Sequence, residues 1–240
     1  MTASLAVAEF TLRGLLGRRR AILLVLLAAL PVFVSVIIRL AGGTRDADAV
    51  LEQMMIRAVM PLVALIVGTA AVGSEIEDGT IVYLLTKPIP RWRTALAKLV
   101  VAGGLTALLV VPAVVLSGLI MGRGDAEALS TVAAFALACL AGGVAYACAF
   151  TTLGIVTGRA LIVGLAYTLI WEGVVSGLLE GTRFLSVRQA TLAVASGLRG
   201  IEDDELLDPI VGALILIVVI VGSFVIATAA MRRLGVRAGD

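Results

Sequence analysis

Few side chains in this 240-residue chain could do chemistry, and their placement limits the kind. Glu172 is the one acid deep inside a long apolar stretch. If that stretch crosses a bilayer, a carboxylate near its centre costs about 2.5–3.5 kcal/mol on insertion scales. Such a residue points to a proton relay, a substrate contact or a subunit interface. The plain alternative is a stretch that bends or ends early and leaves Glu172 in water, beside Trp171 and close to Ser176. A second group of charges, Glu75, Glu77, Asp78, Lys87, Arg91, Arg93 and Lys98, flanks the apolar run Ile81 to Leu85. It has the character of a docking segment rather than of a catalytic set.

Several chemistries are excluded outright. The chain has no histidine, hence no His-ligated metal, His general base or His haem ligand. Cys139 and Cys148 lie nine residues apart in one apolar stretch, on roughly opposite faces of a helix, and read as buried structural thiols. Neither lysine, Lys87 or Lys98, follows the glycine-rich run of a phosphate-binding loop, so ATP is not bound through such a motif in this chain. Gly122-Arg123-Gly124-Asp125 matches the GxGD of intramembrane aspartyl proteases by chance: it lies in a short loop, and no partner aspartate stands in a neighbouring stretch. No nucleophile–base pair suggests a serine or cysteine enzyme. The expectation is no catalytic residue, no metal site and no cofactor bound by this chain.

The elements that position these residues follow from composition. Hydrophobic residues make up 60% of the chain and charged residues 15%, against about 45–50% and about 25% in soluble domains. They gather into six blocks, near 21–40, 56–74, 95–121, 129–156, 160–180 and 209–230. At 1.5 Å per residue, each can cross a hydrocarbon core about 30 Å thick. The expected fold is an all-α membrane protein, a single transmembrane domain over 1–240 with six transmembrane helices. The first block is too long for a signal peptide core and lacks a clear cleavage site, so it reads as an anchor. Pro31, Pro61 and Pro112 fall inside blocks, where kinks are expected, and Asp208-Pro209 opens the last with an N-cap and an N1 proline.

Six crossings place both termini on one side together with loops 75–94 and 157–159. Twelve of the nineteen basic residues fall on that side and eleven of the seventeen acids on the other. The positive-inside rule then puts both termini in the cytoplasm. Residues 3–20 form an amphipathic pattern, with Leu5, Ala8, Leu12, Leu15 and Leu16 recurring at helical steps before Arg18-Arg19-Arg20. This suits a helix lying along the cytoplasmic interface, or simply a topology anchor. The external loop 181–208 should hold a short interfacial or re-entrant helix within Ser186 to Leu198, then a solvated acidic run, Glu202 to Glu205. Ala134, Ala138 and Gly142, with Gly143 and Ala147 beside them, form a small-residue stripe for close helix packing, within the chain by default or at a dimer seam.

The segment between the second and third blocks is the most informative. Ser74 and Glu77 read as a capping box, Glu75, Glu77 and Asp78 favour a helix N-terminus, Lys87 suits a C-terminus, and Pro88 stops the helix. Gly79 either breaks the segment or permits close approach. The run Ile81 to Leu85 needs a cover, lipid headgroups or a partner protein. Arg91, Ala95 and Lys98 share one face as the next helix begins. Lys98 lies about 10 Å into it, so its amine is expected to snorkel back to the interface, with Trp92 in the aromatic belt.

This segment resembles the cytoplasmic loop of ABC-2 type transporter permeases, the transmembrane subunits of ATP-binding cassette exporters. The matching positions are Glu75, Glu77, Gly79-Thr80, Leu84-Leu85, Pro88, Arg91 and Lys98, over about 25 residues. Six spans, cytoplasmic termini, a leading amphipathic helix and a long final external loop extend the resemblance to the whole chain. It implies that residues 75–93 form a coupling helix docking on a separate cytoplasmic ATPase, which would hold the ATP and magnesium. It also implies a second permease subunit, as homodimer or heterodimer, and export as the usual direction. The coupling residues would be Glu75, Glu77, Gly79, Thr80, Leu84, Leu85, Arg91 and Lys98. Membrane lipids are the remaining expected partner, with no nucleic acid, and the expected location is a bacterial plasma membrane. The alternative is a proton-coupled secondary transporter that uses Glu172 and needs no ATPase.

Overall fold

The computed structural model describes residues 18–41, 50–77, 90–122, 126–175, 180–201 and 206–237. All regular structure among them is helical. Helix α1 is Arg18–Leu40; a π-helical segment, Leu51–Val59, runs into α2, Met60–Glu77. Helices α3, Arg91–Met121, and α4, Ala126–Val156, follow. Then come α5, Ala160–Ala166, continued by a second π-helical segment, Tyr167–Val175, a 3-10 turn, Glu180–Leu185, α6, Val187–Arg199, and α7, Pro209–Arg237.

Five helices are long and apolar enough to cross a membrane: Arg20–Leu40, Leu51–Gly73, Arg91–Met121, Ala126–Val156 and Pro209–Arg233. Of the stretch read as a fifth crossing at 160–180, the described helix covers 160–175, about 24 Å at 1.5 Å per residue against a hydrocarbon core about 30 Å thick, and 176–179 lie outside the described residues. The expected prolines sit inside continuous helices. Ser35 Oγ donates to the Pro31 carbonyl one turn earlier at 2.8 Å, which satisfies a buried hydroxyl within the apolar helix. Pro61 has no N–H to offer residue 57, and the preceding turns widen into π geometry, with Met60 N–H bonding Met55 O. Asp208 caps α7 as its sequence suggests, accepting from Ile210 N at 2.8 Å.

Helix α4 is the spine, in contact with α2, α3, α5, α6 and α7. Its small residues make this possible. Ala134, Ala138, Gly142, Gly143 and Ala147 are all buried within the chain, so the stripe serves intramolecular packing. A β-carbon at Gly142 would overlap Thr191 of α6, and one at Gly68 of α2 would stand 2.9 Å from Phe150 Cβ of α4. By contrast the outer faces of α1 and α7, such as Leu23, Phe33, Ile210 and Val218, are exposed. Such surfaces suit contact with lipid.

The register against α4 defines two ends. At the proximal end, where α2 stops and α3 starts, Val72, Ala95, Ile155, Ala227 and Met231 form a small apolar cluster. At the distal end α3 passes to α4, and α6 to α7. Against α4, Phe150 meets the Tyr167 ring at 6.4 Å, Gly142 meets Thr191, and the Phe135 ring meets Arg199 at 5.6 Å. Moving distally along α4 thus means moving forward through α5 and then α6. The two short helices run in series beside one long one. The short helix expected within Ser186 to Leu198 is present as Val187–Arg199, and it packs among α4, α7 and the Leu51–Val59 segment.

Close approach at Gly142 generates a paired test. Gly142→Leu should cost about 1–3 kcal/mol through overpacking and lower the melting temperature in detergent. Gly104→Leu, on an exposed face of α3 with open space around it, should leave melting nearly unchanged. Equal effects would contradict the packing assigned to α6.

Candidate functional site

At the proximal end the structure places four of the expected coupling residues, Glu75 and Glu77 at the end of α2 and Arg91 and Lys98 at the start of α3. Glu75 and Glu77 fall in the last turn of α2. This corrects the capping box read at Ser74: the helix runs unbroken from residue 60 to 77, so Ser74 starts nothing. The long apolar α2 simply carries its helical bonding onward through those residues. Gly79, Thr80, Leu84 and Leu85, with Lys87 and Pro88, lie outside the described residues, as do the 1–17 part of the amphipathic segment, Arg123 to Asp125, and the acidic run 202–205.

Arg91 opens α3 after Pro90, and Trp92 is exposed, with the Arg93 guanidinium 5.2 Å above its ring. Lys98 overturns expectation. Its side chain is 2% exposed, and Nζ donates to the Ala71 carbonyl of α2 at 2.8 Å. The amine does not snorkel out along α3, because a backbone carbonyl on the adjacent helix offers an acceptor within reach. A buried ammonium is costly unless hydrogen-bonded, and charge-assisted bonds are about twice as strong as neutral ones. Lys98 therefore ties α3 to α2 one and a half turns before α2 ends.

Midway along the bundle lies a polar junction centred on Glu172. The residue is 2% exposed, so it is not the water-facing carboxylate of the plain reading. Its Oε1 accepts from Tyr167 Oη at 2.8 Å and from Val187 N at 3.0 Å; its Oε2 accepts from Ser186 Oγ. Ser186 is also the N-cap of α6, accepting from Gln189 N at 3.0 Å. Trp171 Nε1 and Tyr167 Oη both point at the Leu185 carbonyl, 3.3 and 3.2 Å away. The carboxylate thus stands at the positive end of α6, where helix N–H groups and the dipole favour an anion. Tyr146 and Arg188 are close enough to exchange electrostatic interactions with it, and Arg188 in turn with Arg57 and Glu52 of the first π-helical segment.

The arrangement can hold a charge in a dry setting and fix the join between α5 and α6. Among the described residues there is no cluster of three metal-ligating side chains, and both cysteines are free and buried. Ser186, Tyr167, Tyr146 and Arg188 were not foreseen as partners of Glu172. One signal was available: Ser186 to Gln189 is an S-x-x-Q start of a helix.

Replacing Glu172 tests the junction. Glu172→Leu strips the acceptor from a buried N–H and two hydroxyls, at about 1–3 kcal/mol for each group left unsatisfied. Glu172→Gln keeps one acceptor oxygen and should melt closer to wild type. If the leucine and glutamine variants unfold at the same temperature in detergent, the carboxylate is not what joins the helices.

Residues 16–176 match the family described as ABC-2 family transporter protein. No curated protein matches the chain. The matched region runs from the start of α1 through the π-helical segment that carries Glu172, and so contains both the Lys98 tie and the helices flanking residues 78–89. It takes in about two thirds of the chain. The protein belongs to the ABC-2 transporter family and is an integral, multi-pass membrane component of an ABC transporter.

Proposed function

We propose that the chain is one permease subunit of an ATP-driven exporter, coupled through residues 75–93 to a separate cytoplasmic ATPase and paired with a second permease subunit. The observation that carries the coupling part is the Lys98–Ala71 bond. A push on a segment between two helices does useful work only if the helices move as a unit. Lys98 joins them near that segment, and the apolar contact of Ala95 with Val72, Ile155, Ala227 and Met231 extends the joint to α4 and α7. Closure of the ATPase would then displace a rigid block. Glu75, Glu77, Gly79, Thr80, Leu84, Leu85 and Arg91 would make the docking surface, and Lys98 would transmit.

On this reading the fifth of six crossings consists of α5 and α6 in series, and both termini are cytoplasmic. The pairing of subunits draws support from Arg57 and Glu52. They form an ion pair at 3.8 Å with side chains 45% and 38% exposed, within a helix apolar enough to cross the membrane. A half-exposed ion pair in the first two turns of a spanning helix suits a protein or aqueous neighbour at the distal end. The rival, proton-coupled transport through Glu172, has less support. That carboxylate is already committed to Tyr167, Ser186 and Val187.

Co-purification with the ATPase encoded beside this chain, followed by transport in liposomes, tests the proposal. Glu75→Ala/Arg91→Ala should weaken the complex. Lys98→Met should leave it assembled yet reduce transport-coupled ATP hydrolysis at least about tenfold, within the usual range of coupling energies. Wild-type coupling in Lys98→Met would remove Lys98 from the mechanism. Absence of any ATPase complex, with flux collapsing when the proton gradient is dissipated, would overturn the permease reading in favour of Glu172.

A further inference from the structure

Both π-helical segments, Leu51–Val59 and Tyr167–Val175, are nine residues long. Runs of that length are rare, since π geometry occurs mostly as single-turn bulges. Each segment carries a polar side-chain pair five residues apart. Arg57 pairs with Glu52 at 3.8 Å, and Tyr167 Oη donates to Glu172 Oε1 at 2.8 Å. That spacing reports the winding. On an α-helix, residues five apart point about 140° away from one another, and side chains meet at three and four instead. On a π-helix the main-chain bonds themselves join residues five apart, so such a pair comes onto one face.

The two pairs are not equally secure. Glu172 is buried and also accepts from Ser186 and Val187 at the start of α6, which fixes its segment. The Arg57–Glu52 contact is long, with side chains 45% and 38% exposed. The rest of the Leu51–Val59 segment does little to choose a winding. Leu51, Met55 and Val59 are buried, and their four-residue steps would keep them on one face of an α-helix as well. Pro61 offers no N–H to the end of the segment in either winding. Rewinding would exchange bonds such as Met60 N to Met55 O for bonds four residues back, at nearly constant number.

We propose that Leu51–Val59 is a winding switch: the Glu52–Arg57 pair clamps it in the π form, and release of the pair lets it rewind to α. Rewinding carries Glu52 and Arg57 to different faces of the helix. Arg188 of α6 interacts electrostatically with both of them and with Glu172, so the state of the clamp reaches the joint between α5 and α6. The inference goes beyond the permease reading and stands apart from it, since both windings belong to the isolated chain.

The test uses the full chain in lipid nanodiscs, in a Cys139→Ala/Cys148→Ala background, with dibromobimane, a thiol reagent that fluoresces once both its arms have reacted. Gln53→Cys/Ala58→Cys, five apart, reports the π form, and Met54→Cys/Ala58→Cys, four apart, reports α. Both leave the clamp in place. Bridging of the five-apart pair is expected to exceed that of the four-apart pair severalfold. Glu52→Gln or Arg57→Gln should cut this preference severalfold, and the exchange Glu52→Arg/Arg57→Glu should restore it. Salt probes the clamp without touching it: between about 0.1 M and about 1 M the screening length falls from about 10 Å to about 3 Å, and the preference should fall with it. In a Trp92→Phe background, the emission of Trp171, which donates to the Leu185 carbonyl at the joint, should shift on Glu52→Gln. Dominant four-apart bridging with the clamp in place would overturn the π form. A five-apart preference that survives high salt and both glutamine variants would overturn the clamp, and an unshifted Trp171 emission would overturn its reach to α6.

Discussion

A buried carboxylate set against the start of a short helix governs the architecture. Glu172 lies in the Tyr167–Val175 segment and accepts bonds from the cap and first N–H of α6, Ser186 and Val187. Without an anion there, α6 would begin deep in an apolar bundle with exposed N–H groups, a costly situation. With it, the chain can stop α5 early, turn, and resume alongside the same face of α4. The close approach of Thr191 to Gly142 and the seat of Arg199 over Phe135 both follow from that restart.

The proximal end solves the opposite problem by related means. There a buried cation, Lys98, meets a backbone carbonyl of α2. In both places a charged side chain is retained in an apolar bundle by main-chain groups of another element. The result is two fixed joints along α4, one between α2 and α3 and one between α5 and α6. Between them the helices pack through small residues, which favour rigid-body displacement over local rearrangement. The proposed coupling from one end requires that combination.

Long apolar helices were the legible part of the fold. Their limits follow from Pro90, Gly122 and Asp208-Pro209, and observed boundaries such as Arg91–Met121 and Ala126–Val156 lie close to the expected 95–121 and 129–156. The family was legible from residues 75–98. What escaped was tertiary. Lys98 was placed by counting rise along its own helix, which says nothing of a carbonyl on another. Ser186 to Leu198 was read as a short interfacial or re-entrant helix of the external loop, without its buried polar side chains Arg188, Gln189 and Thr191. Polar residues turned inward to a partner 14 or more positions away carry no local periodic signal. The same blindness hid the joint at Glu172, whose partners come from three separate turns of chain.

The central claim of the proposal is that α5 and α6 together make one traverse of the bundle rather than a crossing followed by an outer loop. Spin labels at single cysteines, Leu185→Cys and Arg199→Cys, in a Cys139→Ala/Cys148→Ala background would measure it through their depth in a lipid bilayer. The account predicts that the label at 185 sits well inside the hydrocarbon while that at 199 sits near the distal surface. Both labels at the same surface depth would contradict it.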